Sequence, residues 1–491
     1  MACALQPADA IAQPHHKGAC HDLRRLPSRP RVAVEIARRR LSPVDLVDEC
    51  VARIERLEPR LHAFVSVNAA NARLAAEAAD KAIRAGHAVG PLHGIPIAIK
   101  DIYDTKGVRT TACSRVRENY IPDQDCTVVR KLRDAGAVLL GKVTTHEFAF
   151  GFDSHPTKNP WNLVHIPSGS SGGSAAAIAA GLCFAATGSD TGGSIRAPAA
   201  ANGIAGIKPT YGRVSKAGVA VLSWSLDHAG PMARTVRDLA ILLNIMAGQD
   251  SRDPHTKDVP VPDYGASLTG DIRGMRLGVP TNYFTDDVDP AVADAVAKAI
   301  KELEHLGANI VPVGIAELDG VLDSMLAIAM SEASTYHQAS LRSSADLFGD
   351  ETRLLLEAGE MMLATTYINA QRARYAIKAA FREALRGVDV ILTPTQPTAA
   401  LKIGQSMSRI GTREETVFAV SARFCAPLNL SGLPAASVPC GFSPGKMPIG
   451  LQIIGKPFDE ATVLRVADAF ERNTEWHRKY PPIAEDSAAH A

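Results

Sequence analysis

The sequence predicts an α/β fold in which a mixed or largely parallel β-sheet is covered by helices on both faces. Short apolar runs of the kind that form strands buried on both faces recur along the chain and alternate with helical patterns. Such runs occur near both ends, so we expect distant segments to share one sheet. We therefore predict a single domain over 31–480, between a poorly ordered arm at 1–30 and a tail at 481–491.

The first half of the chain supplies helices and strands in alternation. Ser42 is suited to be an N-cap and Pro43 a first helical residue, and apolar positions recur on one helical face after them. Small apolar residues on all sides at 174–186 are typical of a helix enclosed by protein. The remaining expected elements are helices at 69–85 and 127–135 and buried strands at 95–99 and 137–140.

The second half is dominated by helical patterns. We expect a helical insertion at about 285–385, with clear helices at 292–306 and 365–385. Strand patterns return at 388–392 and 449–454, so the insertion interrupts the sheet-forming sequence rather than ending it.

Composition excludes several classes of function. Lys and Arg total 53 and Asp and Glu total 52, so the net charge of +1 argues against a nucleic acid or an anionic membrane held by charge. No apolar run approaches the roughly 18 residues of a membrane span, and no export signal is visible. The eight cysteines form no CxxC pair, which predicts reduced thiols, a cytoplasmic location and no metal site.

Glycine is concentrated in one window. Residues 166–218 contain 11 of the 38 glycines, where an even spread would give about four. They form two Ser/Gly-rich loops, at 167–174 and 188–198. One such loop would be read as a tight turn. Two of them, joined by an enclosed helix and preceded by Lys100 at the end of a buried strand, indicate a functional site.

Two other motifs match parts of the sequence less well. Residues 169–173 fit the G-x-S-x-G nucleophile elbow, but the stretch before them reads as a loop, and His228 directly follows Asp227 instead of forming a separate triad pair. Residues 136–142 fit a phosphate-binding loop, but Val143 stands where Ser or Thr should bind magnesium. We therefore reject nucleotide binding and disfavour the elbow.

Serine acyl transfer with a lysine base fits best. A serine hydroxyl needs a neighbouring base, and Lys100 can act as one if burial lowers its pKa toward neutrality. Backbone N–H groups at a glycine-rich turn can stabilise the oxyanion. The expected donors are those of Thr191, Gly192, Gly193 and Ser194, with Ser194 placed to attack.

These residues resemble the amidase signature family over about 32–475. The resemblance implies an α/β/α fold and a Ser, cis-Ser, Lys triad without a cofactor. In this sequence Ser194 is then the nucleophile, Ser170 the bridging serine after a cis peptide bond, and Lys100 the base. The matching stretches are GIPIAIKD, SGSSGGSAAA, GSDTGGSIRAPA, APLNLSGLPAASVPCG and PIGLQIIG.

The resemblance also implies roles for neighbouring residues. Ser171 is expected to support the hydrogen bonds between Lys100 and the bridging serine, and Asp190 and Arg196 are expected to brace the nucleophile loop. The substrate pocket is expected to be shaped by the helical insertion. Its candidate lining residues are Met325, Met330, Tyr336, Met361, Met362 and Tyr367.

Several substrates are compatible with this chemistry. The chain also resembles the glutamine-hydrolysing component of the tRNA-dependent amidotransferase, in which an acid that binds the glutamine amino group precedes the Pro-x-Asn-Leu stretch. Residues 421–424 contain no acid here. We therefore predict a stand-alone amidase that acts on a small amide, anilide or carbamate. The alternatives are that glutamine-hydrolysing component, a urethanase of the same family and a catalytically silent interaction partner. A homodimer is left open.

Overall fold

The computed structural model describes residues 41–87 and 90–485. An eleven-stranded mixed sheet runs through this part of the chain, and helices pack on it through three clusters of buried apolar residues. This confirms the predicted α/β class. The predicted arm at 1–30 lies outside the described residues, so the domain boundaries stay a prediction.

The sheet draws on strands from nearly the whole described chain. In spatial order the strands run β1-β3-β2-β4-β6-β5-β12-β13-β9-β7-β8, and β10 and β11 pair separately. The strands are β1 Phe64–Val67, β2 Pro96–Lys100, β3 Val138–Val143, β4 Ala185–Asp190, β5 Ala205–Lys208, β6 His228–Ala233, β7 Arg276–Pro280, β8 Asn309–Val313, β9 Val390–Pro394, β10 Met407–Ile410, β11 Arg413–Thr416, β12 Ala435–Phe442 and β13 Pro448–Gly455.

The helices alternate with these strands along the chain, as the sequence pattern indicates. Ser42 caps the first helix by accepting a hydrogen bond from the N–H of Val44. The helices are α1 Pro43–Leu61, α2 Ala69–Arg84, α3 Thr127–Asp134, α4 Gly172–Ala179, α5 Arg196–Asn202, α6 Val236–Met246, α7 Pro290–His305, α8 Val321–Ser344, α9 Asp350–Glu360, α10 Ala364–Ala384, α11 Val417–Ala422, α12 Ala426–Ser431, α13 Glu460–Arg472 and α14 Pro482–Glu485.

Two neighbouring strands bring the candidate residues to one edge of the sheet. Strands β2 and β4 are parallel, with Ile97 paired to Ala185. Their carboxyl ends therefore lie at the same edge, where ligands commonly bind in α/β sheets. Lys100 is the last residue of β2 and Asp190 the last of β4. All the residues of both strands are buried.

Three predicted segments differ in the structure. The helix predicted at 174–186 ends at Ala179, and a turn through Gly181 at φ +71° leads into strand β4. The predicted insertion at about 285–385 also contains β8, which pairs in parallel with β7 at the edge of the sheet. The predicted tail begins with α14, whose Ile483 is buried. Among the described residues no helix is both long and apolar enough to cross a membrane.

Candidate active site

Lys100 lies at the centre of the candidate site. Its side chain is fully buried, and its Nζ donates hydrogen bonds to Ser170 Oγ at 2.8 Å, Ser171 Oγ at 2.9 Å and Ser189 Oγ at 2.9 Å. Three hydroxyl oxygens thus accept hydrogen bonds from the three N–H donors of an ammonium group. The first two belong to the first glycine-rich loop, and Ser189 belongs to β4.

The environment of Lys100 favours the neutral amine more than water does. Burial lowers the pKa of Lys100 to about 7, and the charge of Asp190 opposes this shift only in part. An ordinary lysine, with a pKa near 10.4, would be almost entirely protonated at neutral pH. Burial thus shifts Lys100 toward the neutral amine, the form in which a lysine can accept a proton.

The first loop holds Ser170 in a fixed position. The peptide bond between Gly169 and Ser170 is cis, as the family resemblance implies. Ser154 Oγ donates to the carbonyl oxygen of Ser170 at 3.0 Å. A Cβ on Gly169 would lie 2.7 Å from the carbonyl carbon of Phe152, so only glycine fits there without a backbone shift.

The second loop carries Ser194 beside the first. Ser194 is 4% exposed, and its carbonyl oxygen accepts a hydrogen bond from the N–H of Ser171 at 3.3 Å. Within the described part of the chain, no hydrogen bond joins Ser194 Oγ to Ser170 Oγ. The two loops are therefore adjacent, and a backbone hydrogen bond joins them.

Asp190 and Arg196 brace the second loop. Asp190 Oδ1 accepts from the N–H of Gly193 at 2.9 Å and from Arg196 Nη2 at 2.8 Å, and its Oδ2 accepts from the N–H of Ile195 at 3.1 Å. Burial raises the pKa of Asp190, but the charge and hydrogen bonds of Arg196 outweigh it and hold the pKa below its ordinary value. The pair is therefore ionised and fixes the loop.

The free backbone donors are fewer than the sequence suggests. Among the described residues, the N–H groups of Thr191, Gly192 and Ser194 have no hydrogen-bond partner. The N–H of Gly193, in contrast, is already bound to Asp190. Gly193 is thus unsuited to be an oxyanion donor in this conformation, which corrects the expectation of four donors. Its φ of +135° is one that glycine adopts far more readily than other residues, so the turn requires glycine at this position.

Sequence reasoning missed four supporting residues. Ser189 contacts Lys100, and Asp227 Oδ1 accepts from Thr191 Oγ at 2.6 Å. Asn429 Oδ1 and Gln452 Oε1 each accept from the guanidinium of Arg196 at 2.7 Å. Three of them, Ser189, Asn429 and Gln452, lie inside the matching motifs, so their place in the motifs was a signal that could have found them. Nothing in the sequence separated Asp227 from an ordinary loop acid.

Apolar side chains border the other side of the second loop. Met325 Cε lies 3.3 Å from the position that a Cβ on Gly192 would take, and Phe152 Cζ lies 3.9 Å from it. Phe152 also stacks edge-on against Phe418, with ring centroids 5.0 Å apart. Helix α8 thus contributes to the wall beside the second loop through Met325.

Two of the other expected pocket residues do not line a pocket. Tyr336 and Met361 are 47% and 82% exposed, so the structure puts these two on the surface. Tyr367 OH donates to Glu332 Oε1 at 3.0 Å, within a polar group on α8 and α10. Over residues 41–87 and 90–485, no three or more His, Cys, Asp or Glu side chains are grouped so as to hold a metal ion.

Comparisons with known proteins agree with this geometry. A family model described as Amidase matches residues 45–464. Among curated proteins, the A subunit of the glutamyl-tRNA(Gln) amidotransferase of Roseiflexus castenholzii is 45% identical over 482 residues, which cover 92% of this chain and 97% of the relative.

Solved structures give the same result. The A subunit of the glutamyl-tRNA(Gln) amidotransferase of Thermotoga maritima has a TM-score of 0.78 and 37% identity, over 94% of this chain and 98% of that one. A bacterial aryl acylamidase of the amidase signature family has a TM-score of 0.85 and 26% identity, over 95% and 99%. The match over most of the chain, together with the cluster around Lys100, shows that the chain belongs to the amidase signature family.

Proposed function

We propose that the chain hydrolyses a carboxylic amide through an acyl-enzyme on Ser194. The observation that supports this most is the buried Lys100, whose pKa of about 7 and three hydroxyl partners suit a base that works through serines. A serine nucleophile at neutral pH needs such a base. The proposed reaction is carried out by Lys100, Ser170 and Ser194. These side chains are held in place by Ser171, Asp190 and Arg196.

The proposed steps conserve atoms and protons. Ser194 Oγ attacks the amide carbon and transfers its proton to Ser170, while Ser170 transfers its own proton to neutral Lys100. The backbone N–H groups of Thr191, Gly192 and Ser194 bind the oxyanion that forms. As the C–N bond breaks, the proton returns from Lys100 through Ser170 to the leaving nitrogen. Water then attacks the acyl-enzyme by the same relay and releases the acid.

Two substrate classes compete, and the comparisons favour glutamine. The curated relatives, at 40–45% identity over 90–93% of this chain, are named as A subunits of glutamyl-tRNA(Gln) amidotransferases. Their name supports glutamine hydrolysis within a larger assembly as one proposed function of this chain. It also refers to tRNA, so these relatives give no support to the prediction that nucleic acid plays no part.

The segment before the Pro-x-Asn-Leu stretch supports the second class, an amide, anilide or carbamate without a free amino group. The segment before the Pro-x-Asn-Leu stretch forms α11, and Ser421 and Ala422 are buried there without an acid beside them. The guanidinium of Arg423 lies 3.6 Å from Glu415 Oε2 and donates to the carbonyl oxygen of Asp287. The acid nearest to this segment therefore pairs with Arg423, and residues 421–424 offer no carboxylate for the amino group of glutamine.

A direct assay separates these proposals. Separate samples of the purified chain are incubated either with a serine-directed acylating probe or with glutamine, aliphatic amides, anilides and aryl carbamates in turn. Ser194→Ala should lose labelling and turnover, while Ser174→Ala, whose hydroxyl contacts the carbonyl of Thr187 and not the lysine, should keep both. Labelling of Ser194→Ala at the wild-type level would contradict the nucleophile. Strong glutamine turnover, alone or with partner proteins, would favour the amidotransferase proposal.

A further inference from the structure

Residues 191 and 192 supply two of the three candidate oxyanion donors, yet few hydrogen bonds fix their backbone. Asp190, just before them, ends strand β4, and the N–H of Gly193, just after them, is bound to the carboxylate of Asp190. Among the described residues these two make a single hydrogen bond, which Thr191 Oγ donates to Asp227 Oδ1 at 2.6 Å. This side-chain contact is therefore the one that can hold the Thr191 N–H in a fixed direction.

Asp227 is held in turn by the loop that it closes. Its Oδ1 accepts a second hydrogen bond from the N–H of Ser223 at 3.0 Å, and its Oδ2 accepts from the N–H of Leu222 at 3.0 Å. The N–H of Asp227 donates to the carbonyl oxygen of Ser223 at 2.7 Å. Because Asp227 has these backbone contacts of its own, it is a fixed acceptor, and a hydrogen bond to it restrains Thr191.

Two helices of the second half of the chain anchor the same loop. Glu332 of α8 is 1% exposed, and its Oε2 accepts from Ser223 Oγ at 2.5 Å and from the N–H of Ser225 at 3.1 Å. Arg374 of α10 donates from Nη2 to the carbonyl oxygen of Ser225 at 2.7 Å. Two charged side chains thus hold the loop at 222–227, so the position of Asp227 does not depend on Thr191.

The direction of an oxyanion donor matters for the rate of reaction. An N–H group stabilises an oxyanion only when it already points at the oxygen that takes up the charge. Each such donor accounts for roughly 100- to 1000-fold in kcat, and a misplacement of about 1 Å is enough to lose much of this. The substrate carbonyl carries little charge before attack, so a residue that aims the donor should raise kcat and leave KM almost unchanged.

We propose that Asp227 is a positioning residue of the reaction, which accepts from Thr191 Oγ and thereby aims the Thr191 N–H at the oxyanion. The proposal rests on the proposed amide hydrolysis, in which Ser194 Oγ bonds to the acyl carbon and the carbonyl oxygen becomes negatively charged. Asp227 acts through Thr191 alone, so its loss should weaken stabilisation of the transition state and not the binding of substrate.

Two substitutions at Thr191 test the proposal with little change in volume. Thr191→Val replaces the hydroxyl by a methyl group, whereas Thr191→Ser keeps the hydroxyl. For an amide whose acylation limits turnover, KM approximates the dissociation constant of the substrate. Thr191→Val should lower kcat about tenfold or more with KM within about twofold of wild type. Thr191→Ser should keep kcat within about threefold of wild type, because the bond to Asp227 can still form.

Thr235→Val is the matched control. Thr235 Oγ also donates to an aspartate, Asp238 Oδ2, at 2.9 Å. It follows the end of β6 that pairs with the start of β4, whereas Asp190 lies at the other end of β4. The control removes the cap of α6 but no group of the site, so kcat and KM should stay at their wild-type values.

Two further measurements identify the cause of a lower kcat. A boronic acid with the acyl group of the substrate forms a tetrahedral adduct on Ser194, and its inhibition constant should rise in Thr191→Val by the factor by which kcat/KM falls. Asp227→Ala should lower kcat at least as much as Thr191→Val. Adding Thr191→Val to it should cost less than about twofold more, because both changes break the same bond. If Asp227→Ala does not fold, the pair at Thr191 decides.

Several results would overturn the positioning role of Asp227. These are a wild-type kcat in Thr191→Val, an equal loss in Thr191→Ser, an unchanged inhibition constant of the boronic acid, and effects of the two positions that multiply in the double variant. If Ser194→Ala abolishes turnover while Thr191→Val keeps it, the proposed hydrolysis stands and only the positioning role fails. No amide turnover by the wild type, with no labelling of Ser194, would overturn both.

Discussion

Replacing Ser189 by alanine tests how the base is tuned. Protonated Lys100 donates to three hydroxyls, and the substitution leaves one ammonium N–H without its acceptor. A hydrogen bond to a charged group contributes about 1.5–3 kcal/mol, and one pKa unit corresponds to about 1.4 kcal/mol. Loss of this contact should therefore lower the pKa of Lys100 by about one to two units from its value of about 7.

The assay is the pH profile of kcat/KM for a good amide substrate. The base must be neutral, so wild-type activity should rise through a pKa of about 7 and fall about tenfold per pH unit well below it. In Ser189→Ala the same rise should be centred at roughly pH 5–6. The variant should then keep a larger share of its own maximum at pH 6, even if that maximum is lower.

Ser174→Ala is the matched control. It also removes a buried hydroxyl of this region, but Ser174 Oγ donates to the carbonyl oxygen of Thr187 and not to the lysine, so its profile should coincide with that of the wild type. A Ser189→Ala profile that coincides with the wild type would refute the reasoning. So would a Lys100→Ala enzyme that retains activity with the same rise near pH 7.

Three further substitutions test the loops. Arg196→Met leaves the carboxylate of Asp190 buried without its ion pair and should lower the free energy of unfolding by about 3–5 kcal/mol, so an unchanged denaturant midpoint would count against the brace. Ser168 has a φ of +60° and a buried hydroxyl without a partner among the described residues. Ser168→Gly should therefore raise the free energy of unfolding by about 1 kcal/mol and raise the Tm. A lower Tm would contradict this. A Cβ at Gly193 would lie 2.6 Å from Cys425 Cβ, so Gly193→Ala should reduce kcat/KM about 100-fold or more, and near wild-type kinetics would contradict the turn geometry.

The sheet could be predicted where burial is complete. Strand β2 is buried throughout and its sequence is apolar up to Lys100, so the run itself marks the strand and its end. The boundary between α4 and β4 could not be read, because small apolar residues on every side carry no periodicity. Edge strand β8 was missed for a related reason: it is half exposed and contains Pro312, which edge strands tolerate.

The candidate site was predictable in its composition but not in its detailed contacts. The glycine-rich window located both loops, and the resemblance supplied roles for Ser170 and Ser194. The contact of Ser189 with Lys100 joins residues 89 positions apart and depends on the pairing of β2 with β4. The bond from Gly193 to Asp190, which removes one expected oxyanion donor, is set by the conformation of the turn. The first is a long-range contact that no local pattern encodes, and the second depends on a turn conformation that the local residue types allow but do not fix.

The acid groups near Lys100 are bound to other partners, and this favours the neutral form of the lysine. A carboxylate in contact with Lys100 would stabilise the ammonium form and raise its pKa, yet within the described residues Lys100 makes no ion pair and meets only hydroxyls. The nearby carboxylate of Asp190 is bound to Arg196, and that of Asp227 to Thr191 and backbone N–H groups. Arg196 therefore does more than brace the loop. By holding Asp190 in its ion pair, it leaves burial as the dominant influence on Lys100 and keeps the pKa near neutrality.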